Sequence, residues 1–158
     1  MTAGLQLINI EDIFLRAKAE EYINARMILN EKKALVTDTL HKVRFLEGVD
    51  GRAVAAAFLN TYTFALSETI GRSYGGGVLT FEPGEMRKVR IPMRMAERLD
   101  IDQIDRWQRN GEIDRILKYT DDILLRDGLR LSEREIELLH SIWNKMRDRR
   151  MTRKNQPV

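Results

Sequence analysis

Residues 52–92 read RAVAAAFLNTYTFALSETIGRSYGGGVLTFEPGEMRKVRIP, and the change of pattern at Gly71 decides the fold class. Before it, the alanines with Phe58, Leu59, Tyr62, Leu66 and Ile70 make a broad apolar surface with small residues, which predicts one mostly buried helix. Asp50, in the turn GVDG, can cap its start, and Gly71 ends it. After it, VLTF reads as a short strand, EPGEMRK as a turn or a single helical turn, and VRI as a further short strand ending at Pro92. Three consecutive glycines between helix and strand are entropically expensive to order, which points to main chain that must come close to something.

Upstream, EDIFLRAKAEEYINA (residues 11–25) carries Ile13, Phe14, Ala17, Tyr22 and Ala25 near helical spacing and predicts a short amphipathic helix. The β-branched stretches at about 26–30 and 34–46 read as a hairpin or meander around the charged connector EKK. In the second, Lys42 and Arg44 share one face, with Val43 and Phe45 on the other. From Ala96 onward the pattern is helical only, with stops at Gly111 and Gly128. A last helix starts at Ser132 with a Ser132–Glu135 capping box and an Ile136, Leu139, Trp143, Met146 stripe that reads as packing. The expectation is an α+β protein: a small mixed or antiparallel sheet with a buried central helix over 1–94, a helical subdomain over 95–150, and a basic, disordered tail over 151–158.

The composition narrows the function classes. The chain of 158 residues is 43% hydrophobic and 32% charged, as expected of a folded protein. It has no cysteine, which fits a reducing cytoplasm, and no apolar run near the ~18 residues that span a bilayer. The first residues lack the basic and apolar regions of a secretory leader, so a cytoplasmic location is expected. Net charge is only +3, but residues 145–154 carry six cations against Asp148. Six more cations lie between Arg72 and Arg98 against three glutamates, so a polyanion could meet both patches. A solubilising surface explains the tail equally well.

Catalytic patterns are missing. His41 and His140 are far apart and have no companions at metal spacing, so no metal site is expected. No Ser–His–acid or cysteine nucleophile is present. The glycine run follows a helix and precedes a strand, the reverse of nucleotide-binding loops. Acid pairs such as Asp100–Asp102 and Asp121–Asp122 are explained by capping and solvation.

Three stretches together carry a resemblance: VTDTLHKV (36–43), AAAFLNTYTFALSETIGRSYGGGVLTFEPGEMRKVRIP (55–92) and DDILLRDGLRLSEREIELLHSIWNKMRDRR (121–150). They resemble the C-terminal target-recognition region of bacterial N6-adenine DNA methyltransferases, the gamma-class type II and type IIG enzymes of restriction–modification systems. The likeness rests on Asn60, Thr63, Glu68, the run Gly71–Leu79, Pro83, Glu85 and Ile91–Pro92, and covers roughly residues 30–150. The family's methyl-donor domain and its Asn/Asp-Pro-Pro-Tyr/Phe motif have no counterpart, since the only prolines are Pro83, Pro92 and Pro157.

The resemblance therefore implies a recognition portion or separately encoded subunit that binds double-stranded DNA and is not itself catalytic. S-adenosylmethionine is implied only for the complete enzyme. The DNA-facing residues it implies are Arg72, Ser73, Tyr74, Gly75, Gly76 and Gly77, with Lys88 and Arg90 and, on the neighbouring strand, Lys42 and Arg44. Arg72 suits a phosphate or guanine O6/N7, and unhindered glycine amides suit phosphate oxygens. Two other readings stand beside it. The glycines also read as a tight crossover with Tyr74 covering the core edge, and the chain as an interaction module that docks on a methyltransferase subunit or self-associates.

Overall fold

The computed structural model describes residues 13–16, 26–30, 35, 41–74 and 77–152. The α+β expectation holds: two small antiparallel sheets accompany six helices among the described residues. The first sheet contains β1 (Ile13–Arg16), β2 (Arg26–Leu29) and β3 (His41–Val43) in the order β2-β1-β3. Ile13 lies opposite both Leu29 and Val43, so β1 is the central strand.

This corrects the reading of a helix over 11–25 at residues 13–16; residues 17–25 lie outside the described residues. Ile13, Phe14 and Leu15 suit a pleated surface as well as a helix, and pairing on both edges outweighs loose helical spacing. It also places β1 between the two stretches expected to form a hairpin. Of the second stretch, His41–Val43 is strand, with Lys42 and Arg44 exposed and Val43 and Phe45 buried, as the alternation required.

The long helix expected over 52–70 is two helices, α1 (Gly51–Phe58) and α2 (Thr61–Ile70). Asp50 caps α1 by accepting from the Arg52 and Ala53 amides. The break falls at Leu59–Asn60, where Asn60 caps α2 through the Thr63 amide, 2.9 Å away, and donates to Ala57 O. A second cap arrives from far along the chain. Asp121 accepts from the Thr61 amide at 2.8 Å and from the Thr61 hydroxyl at 2.6 Å. Two caps at one helix start outweigh continuation of the alanine-rich helix.

Past Gly71, β4 (Arg72–Tyr74) pairs with β5 (Val78–Thr80), and α3 (Pro83–Met86) is the single helical turn foreseen. The strand expected at Val89–Ile91 does not form. Its start is wound into the end of α3, with Lys88 and Val89 amides bonded to Glu85 and Met86 carbonyls. The Arg90 carbonyl is taken by the Thr63 hydroxyl instead of a strand.

The remaining elements are a 3-10 turn over Ala96–Arg98, α4 (Ile101–Arg109), α5 (Ile113–Asp121), a π-helical turn over Asp122–Gly128 and α6 (Glu133–Thr152). Asp100 caps α4, and the Ser132–Glu135 box opens α6 as read. One buried cluster takes Val54, Phe58, Phe64 and Val89 from the first part of the chain. It takes Ile104, Ile116, Leu117 and Trp143 from the helical part, so the core runs across residue 94. Phe64 of α2 meets Trp143 of α6 with ring centroids 5.4 Å apart. The helix α6 continues through Thr152, two residues into the expected tail.

Burial raises the carboxyl of Asp121 from the usual 3.8 to about 6, against the Thr61 hydrogen bonds and the charge of His140, which lower it. A carboxyl raised in the folded state contributes most stability below its unfolded value and loses that contribution as pH rises through about 6. The loss is on the order of 2–3 kcal/mol. Asp121→Asn keeps an acceptor for the Thr61 amide and cannot titrate. Thermal unfolding from about pH 4 to about pH 7 is expected to show the wild type losing ground to this variant. Parallel pH curves for the two would contradict the assignment.

Candidate nucleic-acid interface

The hairpin β4–β5 leaves the end of α2 and folds back on it. Gly71 makes the close return: a Cβ there would stand 2.7 Å from Leu79 Cδ1, 2.9 Å from Ser67 O and 3.0 Å from Phe81 Cε1. This glycine therefore serves packing, the crossover that the sequence left open. Arg72 and Ser73 follow it and are exposed, with Arg72 opposite Thr80 and Ser73 opposite Leu79.

Arg72 Nε donates to Glu85 Oε1 at 2.6 Å. The same carboxylate accepts from the Glu82 amide at 2.8 Å, so Glu85 both closes the capping box of α3 and holds Arg72. The Glu82 amide and then Arg72 hold the Glu85 carboxyl below its ordinary range, and Lys88 adds to the effect. Lys88, three residues after Glu85, is exposed.

The strand β3 is tied to the same region. His41 Nε2 lies 2.5 Å from Phe81 O, and since a carbonyl only accepts, Nε2 carries the proton. His41 is thus engaged in a structural bond, and its neighbours Lys42 and Arg44 point outward from a strand linked to the chain just after β5. Arg90 is also exposed, but its carbonyl is anchored by Thr63 in the first turn of α2, whereas Arg72 leaves the opposite end. Arg72, Lys88, Arg90, Lys42 and Arg44 are all exposed, on segments tied together by the His41–Phe81 bond, the Arg72–Glu85 pair and the Thr63–Arg90 bond.

The remaining expected contacts fall differently. Tyr74 closes β4, paired with Val78. Gly75 and Gly76 lie outside the described residues. Gly77 does not offer an open main chain: it is buried, has φ +74°, and its carbonyl accepts from Arg150 Nη1.

That last bond changes the reading of the basic run at 145–154. Arg150 is buried, and its Nε and Nη2 reach the two oxygens of Glu68 at 2.9 Å and 2.6 Å. Arg147 lies over the Trp143 ring at 4.8 Å and pairs with Asp148. Lys145 and Arg149 are exposed, while Arg153 and Lys154 lie outside the described residues. The partner of Glu68 is thus a side chain 82 residues away.

A cleft of about 560 Å³ lies between β2, α1 and α4, floored by Met27, Leu29, Leu59 and Ile104. Its rim carries the ion pairs Arg52–Asp102 and Arg109–Asp105. Among the described residues there is no group of three or more His, Asp or Glu able to hold a metal, and no helix is long and apolar enough to cross a membrane.

With this geometry in place, comparison with known families gives a clear result. Residues 6–125 match the C-terminal domain of the type II methyltransferase M.Eco57I. The chain belongs to this family of methyltransferase C-terminal domains. No curated protein and no solved structure matches the chain.

The crossover role of Gly71 yields a direct expectation. Gly71→Ala pushes a Cβ against the Ser67 carbonyl and the Leu79 side chain, and is expected to cost about 1–3 kcal/mol. Urea unfolding measures it. A variant as stable as the wild type would mean that the hairpin sits farther from α2 than described.

Proposed function

We propose that this chain is the DNA-binding, target-recognition portion of an N6-adenine DNA methyltransferase of a bacterial restriction–modification system. The observation that carries the reading is the family match over residues 6–125, in a chain without the Asn/Asp-Pro-Pro-Tyr/Phe motif. Support comes from the outward-facing cations around the β4–β5 hairpin. Lys42, Arg44 and Lys88 are exposed on segments joined by the His41–Phe81 bond and the Arg72–Glu85 pair.

In this reading the rim tracks duplex phosphates and fixes register. The catalytic portion and S-adenosylmethionine act from elsewhere. Phosphate contacts supply affinity that falls as salt displaces them. Arg72 enters the complex by exchanging Glu85 for a phosphate or a guanine edge, so Glu85 sets how readily that cation is released.

A second reading, an interaction module docking on a separate methyltransferase subunit or on another copy, is favoured by one observation. Leu138 is 60% exposed and Ile142 39% exposed, four residues apart on α6. Light scattering after size exclusion, with and without a methyltransferase subunit, separates this reading from the first.

Fluorescence anisotropy with a duplex oligonucleotide across a salt series tests the DNA reading. Binding is expected to weaken steeply with salt, and Lys88→Ala is expected to reduce the log–log slope by about one. Glu85→Gln is expected to tighten binding by removing a negative charge beside Arg72. Absent or salt-independent binding would overturn the proposal.

A further inference from the structure

The Glu68–Arg150 pair lies deep in the protein, each side chain only 4% exposed. A buried ion pair contributes little net stability over an apolar pair of the same volume, because both charges leave water. Its value here is therefore better sought in geometry. The planar guanidinium uses one edge to hold both Glu68 oxygens and turns Nη1 onto the Gly77 carbonyl. Glu68 sits in the last turn of α2, just before the chain departs into β4, and Gly77 sits where it comes back into β5. One side chain bridges the departure and the return of the hairpin.

We propose that Arg150 is a positioning residue that clasps the glycine hairpin and fixes its conformation. A lysine in its place could not span both partners with a rigid fork. The clasp offsets the entropy cost of ordering Gly77, and it holds this residue at a positive φ with its carbonyl turned inward. It comes from outside the family match: residues 6–125 include Glu68 and Gly77 but not Arg150. The consequence for DNA rests on the function proposed above. A fixed hairpin presents Arg72 and Ser73 at one spacing, so loosening it weakens duplex binding although Arg150 touches no phosphate.

The test uses the full chain carrying Glu68→Leu and Arg150→Met together, which exchanges the buried pair for apolar volume and leaves no orphan charge. Hydrogen exchange resolved by residue reads the amides of Gly77, Val78 and Leu79 against Ile116 and Leu117 in α5. The expected result is hairpin exchange at least about tenfold faster with α5 unchanged. Arg150→Lys keeps the charge and is expected to fall between the double variant and the wild type, which a purely packing role would not produce.

Duplex affinity of the double variant is expected to fall about tenfold while its log–log salt slope stays that of the wild type, since no counterion-releasing contact is removed. Unchanged hairpin exchange in both variants overturns the clasp. A slope reduced by about one instead makes Arg150 a phosphate ligand and also overturns it. Failure of the wild type to bind duplex would remove the proposed function alone, and the exchange measurement would still decide the clasp.

Discussion

The helix α2 buries polar side chains along its whole length, and the rest of the molecule is arranged around satisfying them. Asn60, Thr61, Thr63, Ser67 and Glu68 are all buried beside Phe64 and Ala65. A buried polar group without a partner costs on the order of 1–3 kcal/mol, and of these five only the Ser67 hydroxyl is left without one. The partners come from every later part of the chain: the Arg90 carbonyl for Thr63, the Asp121 carboxyl for Thr61, the Arg150 guanidinium for Glu68. Apolar contact between Phe64 and Trp143 supplies driving force, but it would tolerate sliding. The polar partners do not, because each bond has a length and a direction. This explains why one core runs through both parts of the chain instead of dividing near residue 94.

That arrangement also explains what was legible in the sequence. Features set by neighbours in the chain read well: Asp50 as a cap, the stop at Gly71, the turn at Pro83–Gly84, the Ser132–Glu135 box, the outward alternation of Lys42 and Arg44. Features set by distant partners did not. Asn60 inside an alanine-rich run passes for a tolerated helix residue, and only Thr63 three positions on hinted at a cap. Nothing near Asp121 in the sequence announces that it caps a helix start sixty residues earlier. Ile13–Arg16 carries a pattern both helix and strand accept, and the pairing that decides it lies on two other segments.

The candidate site divides along the same line. Lys42 and Arg44 are exposed as the local alternation implied, and Lys88 and Arg90 are exposed after the turn at Pro83. Arg150 was counted with a surface run because its neighbours are charged, and only the buried acid at Glu68 reveals its role. Gly77 was expected to bare its main chain and instead turns its carbonyl inward. The hairpin thus has two sides of different character: an outer one with Arg72 and Ser73 exposed, and an inner one stapled to α6.

The distance in sequence between Glu68 and Arg150, 82 residues, has a bearing on how the molecule comes into being. Ribosomes add roughly 5–20 residues each second, so about 4–16 s separate synthesis of the two partners. During that interval the acid is present without its guanidinium, and the Gly77 carbonyl without its donor. Early segments of the nascent chain can acquire helices and the alanine-rich core, but the hairpin takes its final form only when the closing helix emerges.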